Sequence, residues 1–353
     1  MTDTPMLPVR RHEKHWVPDG SVVIGAVDSK NRTTTLFQVH RTLLTDQSEV
    51  FASMFSLPQG EGNCQTDYYD GLPYVLLPDT SEEVVALLNV LRDPFTFLER
   101  TPFSDTPIRF RPALKMASKY VMTDLRAKLV RAFESEWPLT VEDLEFKDQL
   151  LNDYFAHDEH GVRELTGHFK GWPLHLNPEP ASAIALAEEF NIETILPAAY
   201  YDIMRCAPRS EWDEDFDWSK TVYIGGPPDK PARWACLSAK SYRKIMRLQD
   251  IMTEEIMKHF GGLRNHLPRN CGEREEGPCR TTWMKLVEEG GYVAKHVQNR
   301  DLFEQLRSLR TRSSRSFIIC DECKTSYLKA IQEHRKDSWE VLEEVSRGGV
   351  YYG

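Results

Sequence analysis

Residues 18–138 alternate short β-rich runs with helical stretches, and this alternation limits the fold more than any other feature of the chain. Val22–Ile24 and Thr35–Val39 predict two strands, and the polar segment Asp28–Arg32 between them predicts a hairpin turn. Tyr74–Leu77 predicts a third strand. Apolar residues spaced three to four apart predict the helices, namely Leu43, Leu44, Val50, Phe51, Met54 and Phe55, then Val84, Leu87, Leu88 and Leu91, then Leu114, Ala117, Tyr120, Leu125, Leu129 and Phe133. The sequence therefore predicts an α/β domain of short strands and helical hairpins.

The rest of the chain is predicted to be mainly α-helical and to be divided by a linker. We predict an N-terminal extension at 1–17, the α/β domain at 18–138, a helical extension at 139–205, a linker at 206–235 and a mainly helical C-terminal region at 236–353. The linker is rich in proline and carries the acidic-aromatic run Glu211–Trp218. That run is either a solvated loop whose tryptophans fold back on the protein or a short docking peptide for a basic partner.

The helical extension matches part of the α/β domain at an offset of 70 residues. Five apolar positions match in the two segments, namely Leu114, Met116, Ala117, Tyr120 and Leu125 with Ile184, Leu186, Ala187, Phe190 and Ile195. Two interpretations stay open at this point: a structural repeat of one helix pair, or a chance match between two sets of helical core positions.

Net charge and hydropathy argue against nucleic acids and membranes as partners of this chain. The 353-residue chain has a formal net charge of −10 and a pI of about 5.6. An acidic chain repels nucleic-acid phosphates on average, so nucleic acid is not the expected partner. No window approaches the roughly 18 consecutive apolar residues of a transmembrane helix, and the opening stretch MTDTPMLPVRRHEKHW lacks the apolar core of a signal peptide. We therefore predict an intracellular protein of the cytoplasm or nucleus without a membrane partner.

The motifs of the common enzyme classes are missing from the sequence. It has no G-x-G-x-x-G dinucleotide loop, no Walker-type phosphate loop, no H-E-x-x-H helix and no G-x-S-x-G nucleophile elbow. The segment His157–His160 groups two histidines with two acids and is typical either of a metal or acid–base site or of an exposed turn. We therefore predict a non-enzymatic protein without a small-molecule substrate.

The cysteines carry the strongest chemical signal of the C-terminal region. Cys320 and Cys323 form a C-x-x-C between the run Phe317–Ile319, which is typical of a strand, and a predicted long helix. Cys271 and Cys279 enclose seven residues in a loop that ends forty residues before this motif. Structural Zn²⁺ sites are tetrahedral and often take four thiolates from two close pairs. We therefore predict one structural zinc ion bound by these four cysteines.

Other interpretations of the C-terminal region stay open. The four thiols are alternatively unrelated buried residues, or Cys320 and Cys323 form a redox pair, since a helix N-terminus lowers a thiol pKa. A basic cluster precedes the C-x-x-C and consists of Arg307, Arg310, Arg312 and Arg315. It suits either phosphate contacts or a solvated helix end. A nucleic-acid-binding regulator that uses this Cys/Arg region is therefore an alternative function.

The predicted α/β domain resembles the BTB/POZ family. The stretches DGSVVI, FQVHRTLL and SEVFASMF, which begin at Asp19, Phe37 and Ser48, are similar to the family's first strand, second strand and following helix. VLLPD from Val75 resembles the third strand and its exit, and Leu114–Tyr120 resembles the A-x-K-Y helix pair. The whole chain also resembles a set of fungal, mushroom-type BTB proteins of unassigned function, through its post-BTB helices and the late C-x-x-C followed by Arg335 and Trp339.

The resemblance implies a function as well as a fold. BTB domains are protein-interaction modules that form homo- or heterodimers, so we expect protein partners, including the chain itself or other BTB proteins. Many members recruit a cullin-type ubiquitin ligase scaffold, and Phe97 and Glu99 fit the hydrophobic-x-Glu pattern of cullin-binding members. A substrate adaptor of such a ligase is therefore an alternative. The resemblance also implies that His40 is structural and lies near Asp19.

Overall fold

A computed structural model shows a mixed α/β region followed by a mostly helical remainder, which confirms the coarse fold prediction. The structure describes residues 8–28, 30, 32–56, 68–99, 105–156, 178–213, 231–266, 268, 277–288 and 302–349. The chain divides into two compact units, of which the first ends at Ser135 and the second begins at Glu136. Within the described ranges, no helix has both the length and the apolar character needed to cross a membrane.

The first unit is built on a five-stranded sheet with the order β1-β3-β2-β5-β4. Its strands are β1 Val9–Trp16, β2 Val22–Val27, β3 Thr34–Val39, β4 Tyr68–Tyr69 and β5 Leu72–Thr80. β2 and β3 form the predicted antiparallel hairpin, and the Asp28 N–H donates to the Thr33 carbonyl oxygen at 2.8 Å in its turn. Every residue of β3 is buried. Its sequence therefore lacks the alternation of polar and apolar residues that marks a half-exposed strand.

Among the described residues of the first unit, six helices accompany the sheet. They are α1 Thr42–Thr45, α2 Glu49–Ser56, α3 Ser81–Arg92, α4 Pro94–Leu98, α5 Thr106–Lys119 and α6 Thr123–Glu134. α3 begins with a capping box, in which Thr80 Oγ1 accepts from the Glu83 N–H and the Glu83 carboxylate accepts from the Thr80 N–H. Glu83 also pairs with Lys115, so the same carboxylate ties α3 to α5.

The N-terminal extension predicted at residues 1–17 contains a strand. β1 runs parallel to β3 at the edge of the sheet, and most of its side chains are exposed and polar or charged, as is common in edge strands. Such a composition lacks the alternation of apolar and polar residues that would reveal a strand. Buried His15 fixes β1 to α3, because its Nε2 lies 3.1 Å from Asn89 Oδ1. Arg92 adds a hydrogen bond from its Nη1 to the Lys14 carbonyl oxygen at 2.6 Å.

The second unit is helical in all its longer elements that the structure describes. They are α7 Val141–Ala156, α8 Pro180–Phe190, α9 Leu196–Met204, α10 Ala239–Asn265, α11 Pro278–Glu288, α12 Leu302–Arg315 and α13 Asp321–Ser346. Ion pairs with at least one buried partner join several of these helices. Lys147 of α7 pairs with Asp202 of α9 at 2.8 Å, and Arg335 of α13 pairs with Glu145 of α7 at 2.7 Å.

The two described ends of the predicted linker lie together in the second unit. Glu211 pairs with Ala232 in a single β-bridge, and the Trp212 N–H donates to the Ala232 carbonyl oxygen at 3.0 Å. The guanidinium of Arg233 stacks over the Trp212 ring at 4.6 Å. Trp212 therefore folds back on the protein, as one of the two sequence interpretations expects, while residues 214–230 lie outside the described part of the chain.

The offset of 70 residues corresponds to the same local structure in both units. α5 and α6 are joined at Val121 with φ of +53°, and α8 is joined to the following turn at Asn191 with φ of +55°. In each connection the residue after the left-handed one donates its N–H five residues back, Met122 to Ala117 and Ile192 to Ala187, both at 2.8 Å. This is the Schellman motif of a helix C-terminus. The two segments therefore share one type of helix C-terminus, while the next helix begins at Thr123 in the first unit and follows a short 3₁₀ turn at Glu193–Ile195 in the second.

Substitutions at Val121 and Asn191, the residues with positive φ in these two connections, should have opposite effects on stability. A β-branched side chain is strained at positive φ, whereas asparagine tolerates it. Val121→Asn should raise the free energy of unfolding by about 1 kcal/mol, because Val121 is 55% exposed and little burial is lost. Asn191→Val should lower it by about the same amount. Thermal unfolding of the full-length variants measures both, and a destabilised Val121→Asn protein would contradict the strain at this turn.

Candidate metal centre

Three of the four predicted zinc ligands meet in the second unit. Cys279 lies in the first turn of α11, Cys320 directly precedes α13 and Cys323 lies in the first turn of α13. The three sulfur atoms all lie within 4.8 Å of one another, so the cluster could hold a metal ion. The fourth predicted ligand, Cys271, lies outside the described residues.

The N-termini of two helices bring these sulfurs together. Pro278 opens α11, where its missing N–H costs nothing and its fixed φ suits the first helical position. The Cys320 N–H donates to Cys279 Sγ at 3.3 Å, and the Cys320 carbonyl oxygen accepts from the Lys324 N–H at 2.9 Å. The positive ends of both helices therefore face the sulfurs, an arrangement that favours negatively charged thiolates.

A stacked aromatic pair lies one helical turn beyond the cysteines. Trp283 follows Cys279 by four residues on α11, and Tyr327 follows Cys323 by four residues on α13. Their rings are parallel within 4° and their centroids are 3.9 Å apart, and both side chains are fully buried. Trp283 Nε1 donates to the Leu263 carbonyl oxygen of α10 at 2.8 Å. The Trp283–Tyr327 stack fixes the distance between α11 and α13, and with it the distances between the sulfurs.

Burial differs among the three thiols and governs their protonation. Cys279 and Cys323 are buried and Cys320 is exposed. Burial, with the neighbouring Cys320 sulfur, raises the pKa of the Cys279 thiol. Three thiolates at this separation repel one another unless a cation lies between them, and a bound metal ion reverses the preference for the protonated form. The donor set of three sulfurs is soft and suits Zn²⁺.

The β-rich run before the C-x-x-C does not form a strand. Phe317–Ile319 lies in the irregular connection between α12 and α13, with Phe317 and Ile318 exposed and Ile319 buried. The expectation of a strand-like segment here is wrong, because this short connection has no neighbouring strand to pair with among the described residues. The Ile318 carbonyl oxygen instead accepts from the Cys279 thiol at 3.8 Å.

The arginine cluster is spread around α12 and is engaged within the chain. Arg307 makes two hydrogen bonds of 2.7 Å to Glu304, and Arg310 pairs with Glu145 at 2.8 Å. Arg312 donates to the Leu286 carbonyl oxygen at 3.1 Å. Three of the four guanidinium groups thus have intramolecular acceptors, so this surface does not favour phosphate contacts.

The two residues of the cullin-binding pattern lie in the first unit, whereas the cysteine cluster belongs to the second. Phe97 of α4 is half-buried, and its ring stacks on Phe110 of α5 at 5.5 Å. Glu99 follows the end of α4 and is exposed. Phe95 of the same helix is 88% exposed.

Two further histidine predictions have different outcomes. His40 Nε2 lies 3.5 Å from Asp19 Oδ1 in a pair exposed to solvent, so the expected proximity is present. The segment His157–His160 lies outside the described residues.

A buried polar cluster between α10 and α13 was not predicted from the sequence. His259 Nδ1 lies 2.7 Å from His334 Nδ1, while His259 Nε2 lies 2.6 Å from Ser338 Oγ and 2.8 Å from Glu255 Oε2. Glu255, His259 and Ser338 are at most 2% exposed. The only local signal is the spacing of four residues within each pair on its helix.

This cluster contains a serine, a histidine and an acid but does not have the geometry of a catalytic triad. A triad needs the serine and the acid on opposite ring nitrogens. Here Ser338 and Glu255 both face Nε2 of His259, and His334 occupies the Nδ1 side. Ser338 is also fully buried, out of reach of a substrate. The cluster therefore serves to join α10 and α13.

The comparisons with known proteins place the chain in no family. No family model, curated protein or solved structure matches it.

The histidine pair predicts a loss of stability in acid. Burial, with the neighbouring His259 ring, lowers the pKa of His334 in the folded protein. His334 is protonated near pH 6.5 in the unfolded chain but only at lower pH in the folded chain. The free energy of unfolding therefore falls as the pH falls below about 6.5. His334 contributes at most about 1.4 kcal/mol per pH unit to the change in the free energy of unfolding. His334→Gln should reduce the stability difference between pH 7 and pH 5 in urea unfolding, and an unchanged difference would contradict the pKa shift.

Proposed function

We propose that this chain is a non-enzymatic protein-interaction module of the BTB/POZ type, and that its second unit holds one structural zinc ion. Both parts of the proposal rest on residues that the sequence singles out and that contact one another in the fold. The first part is carried by one contact network in the first unit, and the second by the cysteine cluster.

The network supports the BTB assignment because it joins residues from separate parts of the motif. Ser48 Oγ accepts from the Phe51 N–H at 3.1 Å and donates to the Tyr120 carbonyl oxygen at 2.5 Å. The Phe51 and Tyr120 rings stack at 4.3 Å. Tyr120 also donates its hydroxyl to Asp79, and Lys119 pairs with the same carboxylate at 2.5 Å. The S-x-x-F, the VLLPD and the K-Y segments of the resemblance thus meet at one place.

The chemistry of this network is structural. Asp79 and Tyr120 are buried, and burial together with the Asp79 carboxylate raises the pKa of Tyr120, so the phenol stays protonated and donates. Every polar group named in the network has a partner. The surfaces of the unit are therefore left to interact with partners, and they expose large apolar side chains, namely Val9, Val50, Tyr68, Leu76, Phe95, Ile108 and Val121.

Recovery of bound proteins from the native cells tests the interaction function. We expect the tagged full-length chain to recover a further copy of itself, another BTB protein or a cullin. Phe95→Asp and Leu76→Asp should each be compared with wild type, since both side chains are exposed and both changes should preserve the fold. Loss of the partner in at least one of them is expected, because a buried charge disrupts an apolar interface.

Met246→Asp is the matched control for this experiment. Met246 is also exposed and apolar, but it lies on α10 of the second unit. If partners are lost with Met246→Asp and retained with both variants of the first unit, the interaction surface does not belong to the BTB-like unit.

The adaptor of a cullin-type ligase is the second candidate, favoured by the exposed Phe95 and Glu99 at α4. Glu99→Ala and Phe95→Ala should each weaken binding to a purified cullin N-terminal domain in a titration. Asp124→Ala, at an exposed acidic residue of α6, should leave the affinity unchanged. Phe97→Ala is a poor test, because its loss from the Phe110 stack disturbs the fold itself. Equal affinities for all variants would remove α4 as the cullin contact.

Metal analysis tests the zinc site. We expect one zinc per chain in wild type and in Cys236→Ser, whose cysteine is exposed and outside the cluster. Cys323→Ser and Cys271→Ser should each lose zinc, because a structural site needs four ligands. Chelation should lower the unfolding temperature of wild type, since bound metal contributes to folding free energy. A wild-type protein with well under one zinc would contradict the site.

A further inference from the structure

The three cysteines of the cluster differ in their access to solvent. Cys320 is exposed, Cys279 is 7% exposed and Cys323 is fully buried. Their sulfurs nevertheless lie within 4.8 Å of one another. A small oxidant in solution therefore reaches Cys320 first, and two sheltered sulfurs lie close enough to react with an oxidised Cys320.

Cys279 is the better placed of the two sheltered sulfurs. The Cys320 N–H donates to Cys279 Sγ at 3.3 Å, so the Cys279 sulfur lies against the backbone of Cys320. Cys279 belongs to α11 and Cys320 precedes α13, and a bond between them would join two helices. Metal-bound cysteines are held as thiolates, the form in which sulfur acts as a nucleophile.

We propose that the cluster is an oxidation switch, in which a hydroperoxide oxidises Cys320 and Cys279 then forms an intramolecular disulfide with it. The release of zinc as a consequence rests on the zinc site proposed above. The disulfide step itself requires only the two cysteines.

The reaction balances with one hydroperoxide per disulfide. The Cys320 sulfur attacks the O–O bond, an S–O bond forms, and the other oxygen leaves as an alcohol, or as water from hydrogen peroxide, after taking up a proton. The Cys279 sulfur then attacks the sulfenic sulfur of Cys320. An S–S bond forms, the S–O bond breaks, and hydroxide leaves as water after taking up a proton. In the metal-free protein the two thiols supply these protons, and in the zinc-bound thiolate form the solvent supplies them. The two sulfurs are oxidised and the peroxide is reduced.

The disulfide changes both the metal site and a nearby surface. Two thiolates of the cluster are consumed, and the remaining ligands are too few for a tetrahedral structural zinc. In the metal-free protein, the Cys279 thiol also loses the proton that it donates to the Ile318 carbonyl oxygen. The exposed side chains of Phe317 and Ile318 lie three and two residues before Cys320, so the disulfide forms beside an exposed apolar surface.

Peptide mapping of the full-length protein tests the switch. The zinc-loaded and the chelator-treated protein are each exposed to hydrogen peroxide, with a metallochromic dye to record zinc release. Trypsin separates Cys279 in residues 275–280 from Cys320 and Cys323 in residues 316–324, and Cys271 in residues 270–274. We expect a cross-link between 275–280 and 316–324 that dithiothreitol reverses, together with release of zinc from the loaded protein.

Two variants assign the roles within the cross-link. Cys320→Ser should abolish the cross-link, whereas Cys323→Ser should retain it, since Cys323 is not one of the two bonded sulfurs. Cys236→Ser, at an exposed cysteine outside the cluster, should behave as wild type. A disulfide within residues 316–324, a cross-link that persists in Cys320→Ser, or thiols that survive peroxide would each overturn the proposal.

The outcomes also separate this proposal from the zinc site. A protein without zinc that still forms the cross-link would disprove the metal site and leave the disulfide switch. A protein that binds one zinc and keeps both zinc and thiols under peroxide would disprove the switch and leave the metal site.

Discussion

Tyr120 makes the contacts on which the first unit depends. Its carbonyl oxygen accepts from Ser48 before α2, its ring stacks on Phe51, and its hydroxyl donates to Asp79 at the end of β5. Buried polar groups stabilise a fold only when they are satisfied, and each then specifies one arrangement of its neighbours. A single residue at the end of α5 thereby fixes α2, β5 and the α5–α6 turn against one another. These are also the segments that carry the resemblance to BTB domains.

The second unit depends on contacts of a different kind. Its long helices α10 and α13 are joined by the His259–His334 pair and by Ser338, and α11 is stacked on α13 through Trp283 and Tyr327. That stack places Cys279 beside the C-x-x-C. A metal ion at the cysteines would add a covalent-like link at the helix ends, where hydrophobic contact is least able to hold them. The proposed oxidation would replace this link with a disulfide.

The sequence predicts those elements whose signal is local. β2, β3 and β5 are recognisable as apolar runs, and the amphipathic helices as apolar residues at helical spacing. β1 is not recognisable, because a polar edge strand does not alternate polar and apolar residues. Phe317–Ile319 is wrongly predicted as a strand, because an apolar run does not reveal whether a neighbouring strand is present to pair with it. Three of the four predicted cysteines are found together, because ligand spacing is local within the C-x-x-C. The His259–His334 contact spans 75 residues and leaves only a spacing of four residues on each helix, which is too common to reveal it.

Native mass spectrometry of the full-length chain, purified gently from its own cells, is the decisive measurement, because it weighs bound proteins and bound metal together. We expect a complex of the 40.8 kDa chain with a second protein chain, and one zinc ion for each copy of this chain. A bare 40.8 kDa monomer without a partner and without metal would contradict it.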